Sequence, residues 1–277
     1  MKVGMLTAPF RKEPFDSVLE FADTASIPCL EVVAYPGSKH IDPAKLTRAG
    51  AEVIQMKLAE LGLELSSLAY YTTDITDPKK VKDVQTHAKK TIDAAAMLGV
   101  NVVCMLGGFP VEGMTKIQTI RKVLPKAFRP ILAHARKKNV NIALENWFQT
   151  CLQGIDTFEA MFEAIPDENF GLNYDPSHLY HQECDHLLPV SLFAKRIFHT
   201  HAKDTLVDKA KRAKSGVYAR GWWRYVIPGF GNINWGEYVS HLRANGYDGV
   251  LSIEHEDDAQ TREEGFMRGA WYLEQFC

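Results

Sequence analysis

Nowhere does the sequence carry a run of about 18 apolar residues, the length a helix needs to cross a bilayer. The opening Met1-Lys2-Val3-Gly4-Met5-Leu6 meets Pro9 and the charged Arg11-Lys12-Glu13 at once, so neither a membrane span nor a signal peptide is expected. Cysteine is scarce. Cys29, Cys104, Cys151, Cys184 and Cys277 are odd in number, widely spaced and free of any CxxC, which fits reduced structural thiols and a cytoplasmic location. Excess charge of one sign is also missing: 32 Lys and Arg against 34 Asp and Glu leave a net charge of −2. That excludes a global field able to hold the protein on nucleic acid or an anionic membrane. The chain has no linker rich in Gly, Ser or Pro. Its first strand-to-helix turn, Leu6-Thr7-Ala8-Pro9-Phe10, lacks the glycine fingerprint of a dinucleotide-binding fold.

What is present is a rhythm. Short β-branched or apolar runs recur, each followed by an amphipathic stretch long enough for the crossover helix of a parallel βαβ unit. The strand candidates are Lys2–Thr7, Leu30–Ala34, Glu64–Tyr70, Asn101–Leu106, Asn141–Glu145, Phe170–Tyr174, Ile197–His201 and Gly249–Glu254. Asp77-Pro78 reads as a helix start, and Gly62 and Gly99 as helix stops. Eight β/α units in a chain of 277 residues match a single α/β domain over residues 1–277, a (β/α)8 TIM barrel. One interruption stands out: 203–231, between the seventh strand and a helix near Trp235, is long enough to be a lid.

Barrel chemistry sits at the C-terminal ends of the strands. Strand five ends in Glu145, strand six in Asp175, strand seven in His201 and strand eight in Glu254. Any one such acid is explained as a helix cap. Four ionisable groups meeting at one mouth repel or desolvate one another unless a cation binds them. Three carboxylates and an imidazole form a hard, oxygen-rich set, which suits one divalent ion, Mn²⁺ first, with Mg²⁺, Co²⁺ and Zn²⁺ also compatible. His199 points the same way as His201 but one layer deeper, as a core or ligand-supporting residue. His178 falls on the rim as a substrate contact or extra ligand. His181, His186, His241 and His255 read as surface or structural. Lys203-Asp204 reads equally as a substrate contact, a solvated pair or a helix cap.

Aromatic residues follow the strand ends: Phe10, Tyr70, Tyr71, Phe109 and Trp147, with Trp222-Trp223 in the long interruption. Their faces suit the C–H surfaces of a sugar, and core packing accounts for several equally well. Gly107-Gly108 makes room for substrate or simply turns the chain. The basic run Lys209–Lys214 reads as a solvated lid face rather than a nucleic-acid contact.

The segments Ala143-Leu144-Glu145-Asn146, Asn173-Tyr174-Asp175-Pro176-Ser177-His178, His199-Thr200-His201-Ala202-Lys203-Asp204, Ile227–Trp235 and Gly246–Glu256, in that order, resemble the xylose isomerase-like TIM barrel superfamily. Within it they resemble the sugar phosphate isomerase/epimerase group of ketose 3-epimerases, hydroxypyruvate isomerase and inosose dehydratase. The resemblance covers nearly the whole chain and places metal ligands at Glu145, Asp175, His201 and Glu254. It also implies substrate contacts at His178 and at Arg224, before the Ile227-Pro228-Gly229 segment; Trp147 and Lys203 complete the expected substrate-binding set. In the epimerases so resembled, Glu145 and Glu254 would be the catalytic pair, one removing the proton beside the carbonyl and the other returning one to the opposite face of an enediolate.

The superfamily also contains apurinic endonucleases, which need further histidines for a trinuclear zinc cluster. Here Ala69-Tyr70-Tyr71, Leu106-Gly107-Gly108 and Trp222-Trp223-Arg224 stand where those histidines belong, so DNA cleavage is not expected. The expectation is a metal-dependent isomerase or epimerase of a keto-sugar or aldose, a small-molecule carbohydrate being its partner. The alternatives are β-elimination from a 3-oxo sugar or inosose, and a non-catalytic sugar-binding barrel. Free sugar is favoured over sugar phosphate, because Lys203, Arg220 and Arg224 form no helix-terminal phosphate cradle. Exposed aromatics in the lid are consistent with a homo-oligomer.

Overall fold

A segment such as Val102-Val103-Cys104-Met105-Leu106 is apolar at every position, which suits a strand covered on both faces, by the barrel interior and by helices outside. The computed structural model describes all 277 residues, and all five of these are buried. Ten strands form: β1 (Lys2–Leu6), β2 (Cys29–Val33), β3 (Glu64–Tyr70), β4 (Val102–Leu106), β5 (Asn141–Glu145), β6 (Phe170–Tyr174), β7 (Ile197–Ala202), β8 (Asp204–Val207), β9 (Trp223–Val226) and β10 (Val250–Ile253). Eight of them close into a parallel barrel in the order β1-β10-β7-β6-β5-β4-β3-β2, while β8 and β9 form a separate two-stranded sheet. The architecture is a (β/α)8 barrel.

The helices are α1 (Phe15–Thr24), α2 (Arg48–Leu61), α3 (Val81–Leu98), α4 (Lys116–Lys122), α5 (Leu124–Lys137), α6 (Ile155–Ala164), α7 (Ser177–Tyr180), α8 (Leu188–Leu192), α9 (Lys209–Ser215), α10 (Trp235–Ala244) and α11 (Arg262–Glu274). Each long helix buries one stripe: α3 through Val84, Ala88, Ile92 and Ala95, and α5 through Leu124, Phe128, Ile131 and Ala135. Gly62 and Gly99 end α2 and α3 in the left-handed region, at φ 67° and 75°. Asp77-Pro78 does not open α3. Asp77 accepts from the Lys79 amide to make a turn, and the helix begins at Val81. None of the helices is long and apolar enough to cross a membrane. All five cysteines are free.

Residues 203–231 are not an irregular loop. β8 and β9 pair antiparallel with Asp204 opposite Val226 and Val207 opposite Trp223, and α9 with its tip joins them. The hairpin is fastened by Asp204. This buried carboxylate accepts from the backbone amides of Gly229 (3.1 Å), Gly231 (3.2 Å) and Ile233 (3.1 Å) and from Trp235 Nε1 (2.9 Å). A Cβ on Gly231 would lie 2.1 Å from Asp204 Oδ1, so only glycine lets the chain wrap the carboxylate this closely. Asp204 is thus neither a solvated partner of Lys203 nor a helix cap. The basic run forms the exposed α9, capped by Asp208.

Candidate metal centre and cavity

The register brings four strand ends to one opening: Glu145 pairs with Asn173, Asn173 with His199, and His201 with Ser252. Two residues beyond Asn173 and Ser252 the chain reaches Asp175 and Glu254. Asn146 holds the turn after β6 with a double hydrogen bond to the Asp175 backbone, both at 2.8 Å. Ser177 N donates to Asp175 Oδ1 at 2.8 Å, leaving Oδ2 to face the opening. One ligand atom from each of Glu145, Asp175, His201 and Glu254 then lies within 4.8 Å of the others.

Two of these atoms, Asp175 Oδ2 and His201 Nδ1, are buried without a hydrogen-bond partner. Unpartnered ligand atoms converging with two further carboxylates are what a divalent cation requires, so the residues fit such an ion. Without an ion, Lys203 supplies the positive charge. Its Nζ is 2.6 Å from Glu254, 3.3 Å from Asp175, 3.3 Å from Glu256 and 3.9 Å from Glu145. Burial alone would lower the Lys203 and His201 pKa values, but the surrounding carboxylates outweigh it and hold both well above their ordinary range. Burial would likewise raise Glu145, yet the hydrogen bond from His178 and the His201 and Lys203 charges keep it well below the usual carboxylate range. Glu145 therefore stays ionised at neutral pH.

The opening leads into a cavity of about 440 Å³ walled by Tyr35, Tyr71, Trp147, Phe148, Trp223 and Tyr225, with Glu145, His178, Lys203, Glu254 and Glu256 at its polar end. His178 Nε2 lies 3.1 Å from Glu145 Oε1, and the Tyr225 hydroxyl is 2.6 Å from His178 Nδ1. His181 is not a surface residue: it is buried and stacks on Trp223 with centroids 3.9 Å apart and planes 4° apart.

Trp147 and Lys203 therefore line the cavity beside His178, but Arg224 does not. Strand alternation in β9 turns Trp223 and Tyr225 inward and Arg224 outward, where it pairs with Asp257 at 2.5 Å. Of the aromatics that follow strand ends, Phe10 packs on Phe21 and Phe266, Tyr70 packs on His87, and Trp222 is buried with its Nε1 bonded to Val217 O. Those three are core. Gly108 is a turn residue at φ 71° whose absent Cβ would strike Ile75 and Thr76.

Sequence reasoning passed over Tyr225 and Glu31. Tyr225 lies within the 203–231 interruption, where the sequence shows no strand pattern. Glu31 is fully buried inside β2, and burial would raise its pKa, but the charges of His201 and His199 and bonds from His201 and Tyr71 bring it down to about 2. A lone carboxylate in Cys-Leu-Glu-Val-Val, a strand buried on both faces, was the available signal.

Three carboxylates and an imidazole gathered under an aromatic cavity, at the C-terminal mouth of a (β/α)8 barrel, define a class of barrel enzymes. The chain belongs to the xylose isomerase-like TIM barrel family, whose model matches residues 19–276. It is similar to the uncharacterized protein YfiH of Bacillus subtilis (strain 168), 24% identical over 310 aligned positions and covering 99% of both chains. It also resembles the inosose dehydratase of Geobacillus thermodenitrificans (strain NG80-2), 26% identical over 149 residues, 52% of this chain and 50% of that enzyme. Among solved structures, the IOLI protein with a zinc atom superposes at a TM-score of 0.75 with 19% identity, covering 100% and 99% of the two chains. A D-tagatose 3-epimerase-like protein superposes at 0.73 with 20% identity, covering 100% and 97%.

Proposed function

We propose that the protein is a divalent-metal-dependent isomerase or epimerase of a keto-sugar, working through an enediolate. The observation that carries this reading is the convergence of Glu145, Asp175, His201 and Glu254 within 4.8 Å at the polar end of an aromatic-walled cavity. Glu145, Asp175, His201 and Glu254 would hold the ion. When bound, it would supply positive charge for the substrate oxygens on which negative charge develops. The hard donor set favours Mn²⁺, and zinc in the IOLI structure makes Zn²⁺ the comparison to run beside it.

The remaining steps belong to the protein. Glu145, held ionised, takes the proton from the carbon beside the substrate carbonyl, and Glu254, from a strand on the other side of the opening, returns a proton to the opposite face. His178, oriented by the Tyr225 hydroxyl, keeps a polar contact beside Glu145 for a substrate hydroxyl. Trp147 and Trp223 stack on the C–H surface of the ring and exclude water.

Similarity to inosose dehydratase favours a second reading that shares the first step: after α-proton abstraction, a β-substituent is lost instead of a proton being returned. One experiment separates the two. The metal-loaded protein is incubated in D₂O with ketoses, inososes and 3-oxo glycosides, with and without chelator, and followed by NMR. Metal-dependent deuterium incorporation beside a carbonyl with all substituents retained is the expected result. Loss of water or an alcohol moves the assignment to the lyase, and no exchange on any substrate refutes enolisation.

A further inference from the structure

His201 presents its two ring nitrogens in opposite directions. Nδ1 faces the acid cluster, 3.1 Å from Glu254 Oε2 and 3.6 Å from Glu145 Oε1. Nε2 faces the barrel interior, 3.0 Å from Glu31 Oε2, 3.1 Å from the Tyr71 hydroxyl and 3.0 Å from Asn173 Nδ2. Of these three neighbours only the carboxylate is bound to accept. The Asn173 amide group donates to the Tyr71 oxygen at 2.8 Å, and the Tyr71 hydroxyl in turn donates to Glu31 Oε1. The orientation of Asn173 is fixed from below, where His199 Nδ1 donates to its Oδ1 at 2.9 Å and His199 Nε2 meets Ser66 Oγ at 3.0 Å. Ser252 adds a further donor to Glu31 Oε2 at 2.8 Å. Every polar group around Glu31 is therefore spent on keeping an ionised acceptor in the middle of the barrel.

We propose that Glu31 is the positioning residue of the ion site. Its oxygen accepts the hydrogen on Nε2 of His201, so that Nδ1, which faces the acid cluster, is the nitrogen that offers its lone pair to a divalent cation. The inference rests on the ion site of the proposed function and adds to it a residue on β2 that touches neither substrate nor ion. A carboxylate behind a ligating imidazole fixes its tautomer and ring orientation and raises its basicity. Glu31, Cys104 and His199 themselves come within 4.8 Å of one another. That cluster does not form a second ion site, because both His199 nitrogens are already engaged by Asn173 and Ser66.

The test is a titration of chelator-stripped, full-length protein with Zn²⁺ against a chromophoric competitor, and with Co²⁺ followed by its ligand-field absorption. Glu31→Gln keeps the side-chain size but replaces one accepting oxygen with a donor. The expected result is a 10- to 100-fold weaker Kd for both ions, with the shape of the Co²⁺ spectrum altered. Melting of the ion-free variant is recorded beside it. A lower Tm with an unchanged Kd would mean that Glu31 only packs the barrel, and would overturn the proposal. A second measurement needs no variant at position 31. In the Zn²⁺-loaded wild-type protein, long-range ¹H–¹⁵N correlation, with His201 assigned through His201→Gln, should place the hydrogen on Nε2 and the ion on Nδ1; the reverse overturns the proposal even if Glu31→Gln does not fold. Wild-type protein that binds neither ion would refute the ion site itself and the proposed function with it. Binding that survives Glu31→Gln undiminished refutes only the role of Glu31.

Discussion

On the proposed function, Lys203 and a divalent ion would compete for the same carboxylates, and replacing Lys203 by Met would expose that competition. The ammonium is fully buried and lies 2.6 Å from Glu254 and 3.3 Å from Asp175. Taking one partner out of a buried charged set leaves the others uncompensated, at a cost of roughly 3–5 kcal/mol. Each 1 kcal/mol is worth about 2–4 °C in Tm for a chain near this size, so chelated Lys203→Met should melt about 10 °C below the chelated wild type. An ion at 100 times its Kd returns about 2.7 kcal/mol. The variant's melting point should therefore rise more steeply with added Mn²⁺ than the wild type's. Removing a like charge from the ligand cluster should also tighten Mn²⁺ binding by about tenfold or more. Scanning calorimetry over a Mn²⁺ series, with competition titration for Kd, reads both effects. Equal melting under chelator together with an unchanged Kd would refute the electrostatic argument.

Three further outcomes are expected. Glu145→Gln and Glu254→Gln should each lower turnover on the substrate found by deuterium exchange by about 10²- to 10⁴-fold, while circular dichroism shows a folded barrel; wild-type rates in either variant contradict the two-carboxylate mechanism. Tyr225→Phe removes the hydroxyl that orients His178 and should raise KM more than it lowers kcat, and unchanged kinetics would take the β9 hairpin out of the site. His199 has its pKa pushed down to about 4, chiefly by burial, with the Glu31 charge opposing and His201 adding. The unfolded chain thus binds this proton first, so its contribution is full above an ordinary His pKa of about 6.5 and drains away as pH falls towards 4, by on the order of 3 kcal/mol in all. Urea denaturation of chelated protein at pH 7 and pH 5 should show the loss, and His199→Gln should flatten it; an identical slope in the variant would count against it.

The barrel strands were legible because a parallel strand buried on both faces must be an apolar run, and such runs survive any arrangement of loops. Their ends were legible for the same reason, since an acid or His that closes an apolar run has only the rim to go to. The interior polar layer was not. Glu31 sits inside a run, and nothing in Cys-Leu-Glu-Val-Val says that Tyr71, Ser252 and His201 wait across the barrel at sequence distances of 40, 221 and 170. Arg224 and Tyr225 fail for a different reason. Side chains one apart in a strand face opposite ways, so a stretch taken for a loop carries no parity, and neither residue's direction follows from its position. For Lys203 the sequence leaves a substrate contact, a solvated pair and a helix cap equally open, because nothing local shows the four acids from other strands that draw it inside.

The base of the β8–β9 hairpin is fixed by the Asp204 carboxylate and the glycine-bearing wrap around it, and β9 is held to the barrel through Arg224–Asp257 and Tyr225–His178. It supplies two ring-bearing walls of the cavity but none of the four cluster residues. On the proposed function, part of the substrate choice would thereby be carried by a piece of chain separate from the four cluster residues. Exchanging residues between Thr205 and Val226 for those of a relative, while leaving Asp204, Tyr225 and Gly231 in place, offers a route to graft a new selectivity onto an unchanged reaction centre.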